Sequence, residues 1–434
     1  MKRCANLRLL AGGVAMAGMM IGAAPAMAGG FYLQDQSTKA SGRAFSGEVA
    51  DQGAESIWWN PAAIGGLVGG SGAISATAIL PRADATNVGT IIVRPGQAPA
   101  AVGGDQTTHN PIHDGVVPSG SIAHGISHGV AVGLAITAPY NFTTEYSASS
   151  WSRYSALTTR LRTIDIQPTI AAELMPGLSL GAAVNIERAS ATLGNALPNL
   201  SAALPDGSQT LKGSGWDVGW SVGGQYRRGP LSLGVSYKSA ITHNVNGTLT
   251  VAGLLGPLAG QNTTLNTSAK FTTPWQLTFG GRYAVTRAVT LNASVTRFGW
   301  AKFDSIRLGA PVNAALPENY RNTWSYAVGT DVTLSPKWTL RAGVQRDITP
   351  VRGDQRDARV PDSNRWNFAM GATRAITSKF KIDAAFNYLT LDDAPINRTT
   401  AAYAGTAVQT PILVNGTVTD PHVFILSLGG RLSF

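Results

Sequence analysis

Charge is scarce in this sequence. Asp, Glu, Lys and Arg make up 13% of its 434 residues, against roughly 25% in an average soluble domain, so an ordinary charged surface cannot cover the whole fold. Cysteine is almost missing, since Cys4 is the only one. A single thiol excludes a disulfide framework and a thiolate metal site. Beyond the N-terminal segment there is also no apolar run of the ~20 residues that a spanning helix needs. The longest uncharged stretches, 61–81 and 248–269, are broken by Gly, Pro, Ser, Thr or Asn. Disorder is excluded as well, because 44% of the chain is hydrophobic and 8% aromatic. What is abundant is glycine, 50 residues without a Gly-X-Y period.

Residues 1–28 read as a secretory signal. Lys2, Arg3 and Arg8 precede an apolar run from Leu9 to Ile21, and Ala26-Met27-Ala28 supplies a small-residue cleavage site. Cleavage before Gly29 removes Cys4 and lowers the formal net charge of +10 by three. The exported chain then depends on packing or on a closed hydrogen-bond system.

The period that recurs in the remainder is two. Phe424, Leu426, Leu428, Leu432 and Phe434 share one face, and Ser427, Gly429, Arg431 and Ser433 lie mainly on the other. The same alternation runs through 178–187, 231–238, 289–296, 338–345 and 380–388. A soluble sandwich would also use such strands. Polar faces carrying Glu187, Arg341, Lys381, Asp383 and Arg431, and apolar faces ending in Tyr237, Trp338, Tyr388 and Phe434, favour a polar lumen and an interfacial aromatic girdle. Short turn-rich links at 175–177, 227–230, 335–337 and 377–379 alternate with long ones near 82–117, 194–211, 250–266, 349–364 and 393–420. That is the pattern of an outer-membrane barrel, which must close because lipid cannot satisfy an open sheet edge. Counting segments gives about fourteen strands, the even number this class requires. A barrel that wide needs a channel or a plug. The stretch before the first strand, which is expected near Ser71–Leu80, lacks the alternation. Its apolar Phe31, Tyr32, Leu33, Trp58 and Trp59 argue for a buried plug rather than a solvated tail. The expected organisation is therefore all-β, with residues 29–68 as a small helical hatch and 69–434 as a fourteen-stranded antiparallel transmembrane barrel.

Ordered blocks down the chain sharpen this reading. They are Gly30-Phe31-Tyr32-Leu33, 40–48, Trp59-Asn60-Pro61-Ala62, Thr144-Glu145-Tyr146 with Trp151 and Arg153-Tyr154, 213–216, Pro274-Trp275, 300–303 and 392–396. Together they resemble the FadL family, the OmpP1/FadL/TodX group, including its Asn-Pro-Ala hatch motif. The resemblance covers nearly all of the exported chain. It implies a monomer in the outer membrane of a Gram-negative bacterium that passes long-chain fatty acids or aromatic hydrocarbons inward. Outer loops would capture substrate, a pocket above the hatch would hold it, and a gap in the third strand would release it sideways.

Individual residues can be assigned to that route. Pro139 lacks an N–H, so within a wall strand it must stand at a bulge, kink, interruption or strand end. The resemblance places the lateral opening at Ala138, Pro139, Tyr140 and Asn141, with Asn141 where the family has a glycine. Pro168 is a candidate second kink. Asn60-Pro61-Ala62 could simply cap a helix; the family reading sets it beside the gap. Leu200, Leu204, Leu254, Leu255 and Leu258 make two outer loops apolar, either as a capture surface or by packing on one another. Phe31, Tyr32, Leu33, Trp58 and Trp59 complete the expected substrate contacts, and Arg160, Arg162 and Lys302 are candidates to hold a carboxylate.

Other chemistry finds little support. His109, His113, His124 and His128 have no thiol partner, and no cofactor or metal is expected. Gly69-Gly70-Ser71-Gly72 lacks the Lys-Ser/Thr of a phosphate loop. Basic residues are scattered, which opposes nucleic acid and suits outer-membrane lipid and lipopolysaccharide head groups; the barrel-assembly machinery is the other expected partner. The rival functions are a general diffusion porin, an outer-membrane lipid hydrolase and a structural or adhesive barrel.

Overall fold

Strands with one apolar face can cross lipid only if every backbone group is paired, so the sheet must return to its own first strand. The computed structural model, which describes residues 30–127 and 129–434, does so as a closed barrel of fourteen antiparallel strands. The proposed signal segment and His128 lie outside the described residues. The wall strands are β1 (Gly70–Asn87), β2 (Gly115–Ser127), β3 (Val130–Thr137 and Asn141–Glu145), β4 (Thr158–Met175), β5 (Leu178–Leu197), β6 (Gly207–Arg228) and β7 (Leu231–Lys238 and Ile241–Ala252). They continue as β8 (Thr263–Thr273 and Gln276–Ala284), β9 (Val289–Phe298), β10 (Thr323–Ser335), β11 (Trp338–Asp347), β12 (Arg365–Ala375), β13 (Phe380–Leu391) and β14 (Thr410–Ser433). Closure runs from Ser71↔Ser433 to Asn87↔Gly416.

β1 extends well past Leu80 because β14 and a loop strand, Thr107–His109, pair with its upper part. Short turns gather at one end, together with the C-terminus, and the long loops at the other. Alternation is inside-out relative to a soluble protein. Outward Val328 and Leu428 are 60% and 63% exposed, whereas inward Asn387 and Gln225 are buried, as a lipid-facing wall requires.

The lumen is filled by residues 30–69. Ser37 caps a one-turn helix, Thr38–Ser41, and three 3₁₀ turns follow at Glu48–Ala50, Ala54–Ser56 and Pro61–Ile64. The last is capped by Asn60, whose side chain accepts from the Ala62 N–H at 2.9 Å, with Pro61 in the first turn where no N–H is needed. Two devices seat this hatch. The first is a set of inward wall glycines. A Cβ at Gly181, Gly234 or Gly343 would come within 2.4 Å of the hatch backbone at Pro61, Val49 or Arg43, so the hatch main chain lies directly on the sheet. The second is a buried charge network. Arg43 pairs with Glu48, with Asp51 at 2.5 Å and with Asp331 of β10 at 3.2 Å. Lys39 meets Asp51 at 2.9 Å and Glu55 at 2.8 Å. Arg282 of β8 reaches Asp51 at 2.8 Å, and Arg431 of β14 reaches Glu55 at 3.2 Å. Arg341 and Asp383 join through Asp331 and Arg431. These inward charges therefore face the hatch rather than an open polar lumen.

Candidate functional site

Above the hatch, inward side chains of β3 to β8 and two outer loops line a cavity, a space of about 730 Å³ that is open in part to solvent. Phe31 rises into it from the hatch; Phe142, Leu161, Leu193, Leu211, Val245 and Phe271 come from the wall, and Phe303, Ile306 and Val360 from loops. The lining fits a site for an apolar ligand with few polar handles. The main handle is Arg359, which sequence reasoning missed because nothing local marks it within a charged loop. Its Nη2 donates to Asn195 at 3.3 Å, while its buried Nη1 has no hydrogen-bond partner among the described residues. Glu318 also lines the cavity. Burial, with Asp357 nearby, pushes its carboxyl up to about 8 against the opposing pull of Arg398 and Arg359. Of the expected cations, Arg160 borders the cavity but is paired with Glu145 at 3.0 Å. Lys302 is exposed and Arg162 lies off the cavity lining.

The cavity floor is aromatic. Phe31 packs edge-on to Tyr140 at 5.9 Å, and Tyr32 meets Tyr140 at 5.6 Å and Trp58 at 5.9 Å between ring centroids. The Tyr32 hydroxyl donates to Gln276 at 2.9 Å. Below this layer two smaller, more polar spaces open. One, of about 530 Å³, is lined by Tyr32, Trp58, Trp59 and Lys238 among others. The other, of about 330 Å³, touches Trp58, Pro139, Tyr140, Asp165, Glu187 and Lys238. Lys238 Nζ stands 3.6 Å from the Trp58 ring centroid. Leu33 is apart from these spaces, packed with Ile79, Ile112 and Ala138.

The wall is interrupted where the lower space meets β3. Pairing with β4 ends at Thr137↔Asp165 and resumes at Asn141↔Arg162, one residue out of step. Pro139 breaks the ladder here, whereas Pro168 stays within an uninterrupted β4. The freed backbone groups of Ala138 and Pro139 are satisfied by the hatch, and those of Tyr140 by Thr163 of β4. Leu33 N–H donates to Pro139 O at 2.7 Å. The Gln36 amide accepts from Ala138 N–H at 3.0 Å and donates to Ala138 O at 3.1 Å. Tyr32 and Tyr140 form a single antiparallel bridge. Ala138, Tyr140 and Asn141 are all buried. The Asn-Pro-Ala motif makes its hydrogen bonds elsewhere. Asn60 Nδ2 donates to Val49 O, Gly224 O and Val235 O at 2.7–3.3 Å, and Pro61 lies against Gly181. Leu33 and Gln36 make the hydrogen bonds to the β3 interruption, while the Asn60-Pro61-Ala62 turn is hydrogen-bonded to β6 and β7 and also packs on β3, β4 and β5.

The apolar loops divide. Leu254 and Leu258 are 1% and 2% exposed and pack against Leu197, with Leu200 at the edge. Leu204 and Leu255 remain at the surface, 37% and 40% exposed. Burying one side of the loop hides two of the expected contacts and leaves two to solvent.

Comparisons with known proteins agree with this architecture. A sequence profile described as outer membrane protein transport protein (OMPP1/FadL/TodX) matches residues 19–423. A long-chain fatty acid transport protein of Escherichia coli is 26% identical over 404 residues, covering 84% of this chain and 87% of that one. Outer membrane protein P1 of Haemophilus influenzae is 24% identical, covering 86% and 88%. Among solved structures, a Pseudomonas aeruginosa FadL homologue superposes with a TM-score of 0.81 at 22% identity, over 93% of this chain and all of that one. The toluene transporter TbuX of Ralstonia pickettii gives 0.64 at 18% identity, over 92% and 98%. The chain belongs to the OMPP1/FadL/TodX family of outer membrane transport proteins and resides in the outer membrane of a Gram-negative bacterium.

Proposed function

We propose that the protein takes up hydrophobic small molecules passively, with no chemical step and no cofactor, and that its natural substrate is a long-chain fatty acid. The carrying observation is an apolar cavity above a seated hatch, lined by Arg359, whose Nη1 is buried and without a hydrogen-bond partner among the described residues. An acyl chain would lie against Phe31, Phe271 and Leu211, and its carboxylate would meet Arg359. Leu204 and Leu255 offer the first apolar contact at the loops. Below the cavity, the substrate passes the Phe31–Tyr32–Tyr140–Trp58 layer and leaves sideways between β3 and β4 once Leu33 and Gln36 withdraw. The protein works as a monomer, inserted by the barrel-assembly machinery into a leaflet rich in lipopolysaccharide. Relatives named as fatty acid and toluene transporters support the transport class.

The test separates the two substrate classes. A hydrogen bond from a charged donor contributes about 1.5–3 kcal/mol. Arg359→Gln should therefore weaken binding of a long-chain fatty acid roughly tenfold to a hundredfold while leaving toluene binding unchanged. Equal effects on both, or none, would remove the carboxylate assignment. A porin would show a large steady conductance in planar bilayers, which the paired charges between hatch and wall oppose.

A further inference from the structure

The outer wall carries a second apolar depression, on the opposite face of the sheet from the cavity. A shallow groove, open to its surroundings, crosses β5 to β12. Its course is set by strand register. One edge follows a single row of directly paired residues from Leu180 through Gly224, Phe279, Tyr326 and Arg346 to Trp366. The other edge follows the neighbouring row through Tyr226, Leu233, Gly281, Ala293 and Val328. Along both rows the small residues Gly224, Gly281 and Ala293 lie low, and Phe279, Tyr326 and Val328 stand above them.

Because the strands tilt, a row perpendicular to them climbs. Seven strand-to-strand steps of about 4.8 Å, in a barrel with strands tilted by about 40°, lift the row by roughly 20 Å, most of an apolar belt about 25 Å tall. The low end, at Leu180 and Tyr226, lies beside the short turns, and the high end beside the long loops. Arg346 is the one charged residue lining the groove, and it stands at the high end. Its guanidinium lies 5.0 Å from the Trp366 ring and forms an ion pair with the exposed Asp392 carboxylate at 3.7 Å, with which an incoming phosphate would exchange. Nearby, outward-facing Arg297 stacks at 4.8 Å on Trp324. Stacked guanidinium groups keep their N–H edges for an anion, and they match phosphate geometry.

We propose that this groove binds one phosphorylated, multiply acylated glycolipid of the outer leaflet, the anchor of lipopolysaccharide. One acyl chain descends along the groove floor and a phosphate sits on Arg297 and Arg346. The one charged lining residue stands at the high end, while the low end is lined by Leu178, Leu180 and Tyr226, with Arg228 just beyond it. The inference rests on residence in the outer membrane and not on the transport reading.

Native mass spectrometry of the full-length barrel, delipidated and then given bisphosphorylated lipid A, tests it. One lipid should be retained per barrel. The double variant Arg297→Gln/Arg346→Gln and the groove-filling Ala293→Phe should each weaken retention about tenfold or more, and dephosphorylated lipid A should bind the unaltered protein as weakly. Heat-modifiable gel mobility verifies the folded barrel in each variant, and fatty-acid binding measured on the same samples separates this site from the cavity. No retention by the unaltered protein, equal retention by folded variants, or equally tight binding of phosphatidylglycerol would overturn the proposal.

Discussion

Glu318 and Arg359 line one cavity, and their charges set how it greets an anion. Burial, aided by Asp357, holds the Glu318 carboxyl near 8, so below that pH it is neutral and Arg359 presents net positive charge. As pH rises through about 8, Glu318 ionises and opposes a carboxylate ligand, so fatty-acid affinity should fall across that range. Glu318→Gln should flatten the profile, and titrating binding from pH 6 to 9.5 checks it; a slope that persists in the variant would place the titrating group elsewhere. Leu255 gives a second residue-scale test. It is exposed, whereas Leu254 and Leu258 hold the loop together. Leu255→Ser should lower uptake only at low substrate concentration. Leu254→Ala should instead loosen the loop, at a cost of about 2–5 kcal/mol for a buried leucine, and is read by faster proteolysis. Arg359 could not be picked out from sequence, because its value lies in an unpaired N–H group that only the folded loops define.

At the scale of elements, period-two alternation and short turn signals made the wall strands legible, from the pattern at 178–187 to the C-terminal run. Pro139 likewise marked the break in β3, since its missing N–H is a local fact. What fills that break was not legible. Leu33 and Gln36 reach it across about a hundred residues of sequence, Leu33 through its backbone N–H and Gln36 through its side-chain amide, and both meet backbone groups of Ala138 and Pro139. The single bridge Tyr32↔Tyr140 allows a direct test. Directly opposed antiparallel residues lie about 4.5–5.5 Å apart, within disulfide range, and the only natural cysteine is Cys4. Tyr32→Cys/Tyr140→Cys should block uptake when oxidised and regain it on reduction. Equal uptake in both redox states would show that the hatch need not leave β3 for release.

For the whole molecule, the scarcity of charge follows from a lipid-facing wall, and part of the charge that remains in the lumen, at Arg282, Asp331 and Arg431, pairs with the hatch. The glycine excess likewise has a use that composition could not reveal, since an inward glycine differs from a turn glycine only once the hatch lies against it. Gly343→Val would drive side-chain atoms into the Arg43 carbonyl, where even a Cβ comes within 2.2 Å. Forced overpacking costs about 1–3 kcal/mol or more. The variant should still form a heat-modifiable barrel but show raised single-channel conductance as the hatch is displaced; an unchanged, closed channel would mean that the seat tolerates the added bulk. The ion pair between Glu55 and Arg431 has a consequence in time as well as in space. Arg431 stands on β14, the strand that closes the barrel on β1, and Glu55 on the hatch that precedes β1, so two segments far apart in sequence share one charge pair. The hatch cannot be fully seated until β14 has closed on β1, so a barrel left open at its seam also lacks its complete stopper.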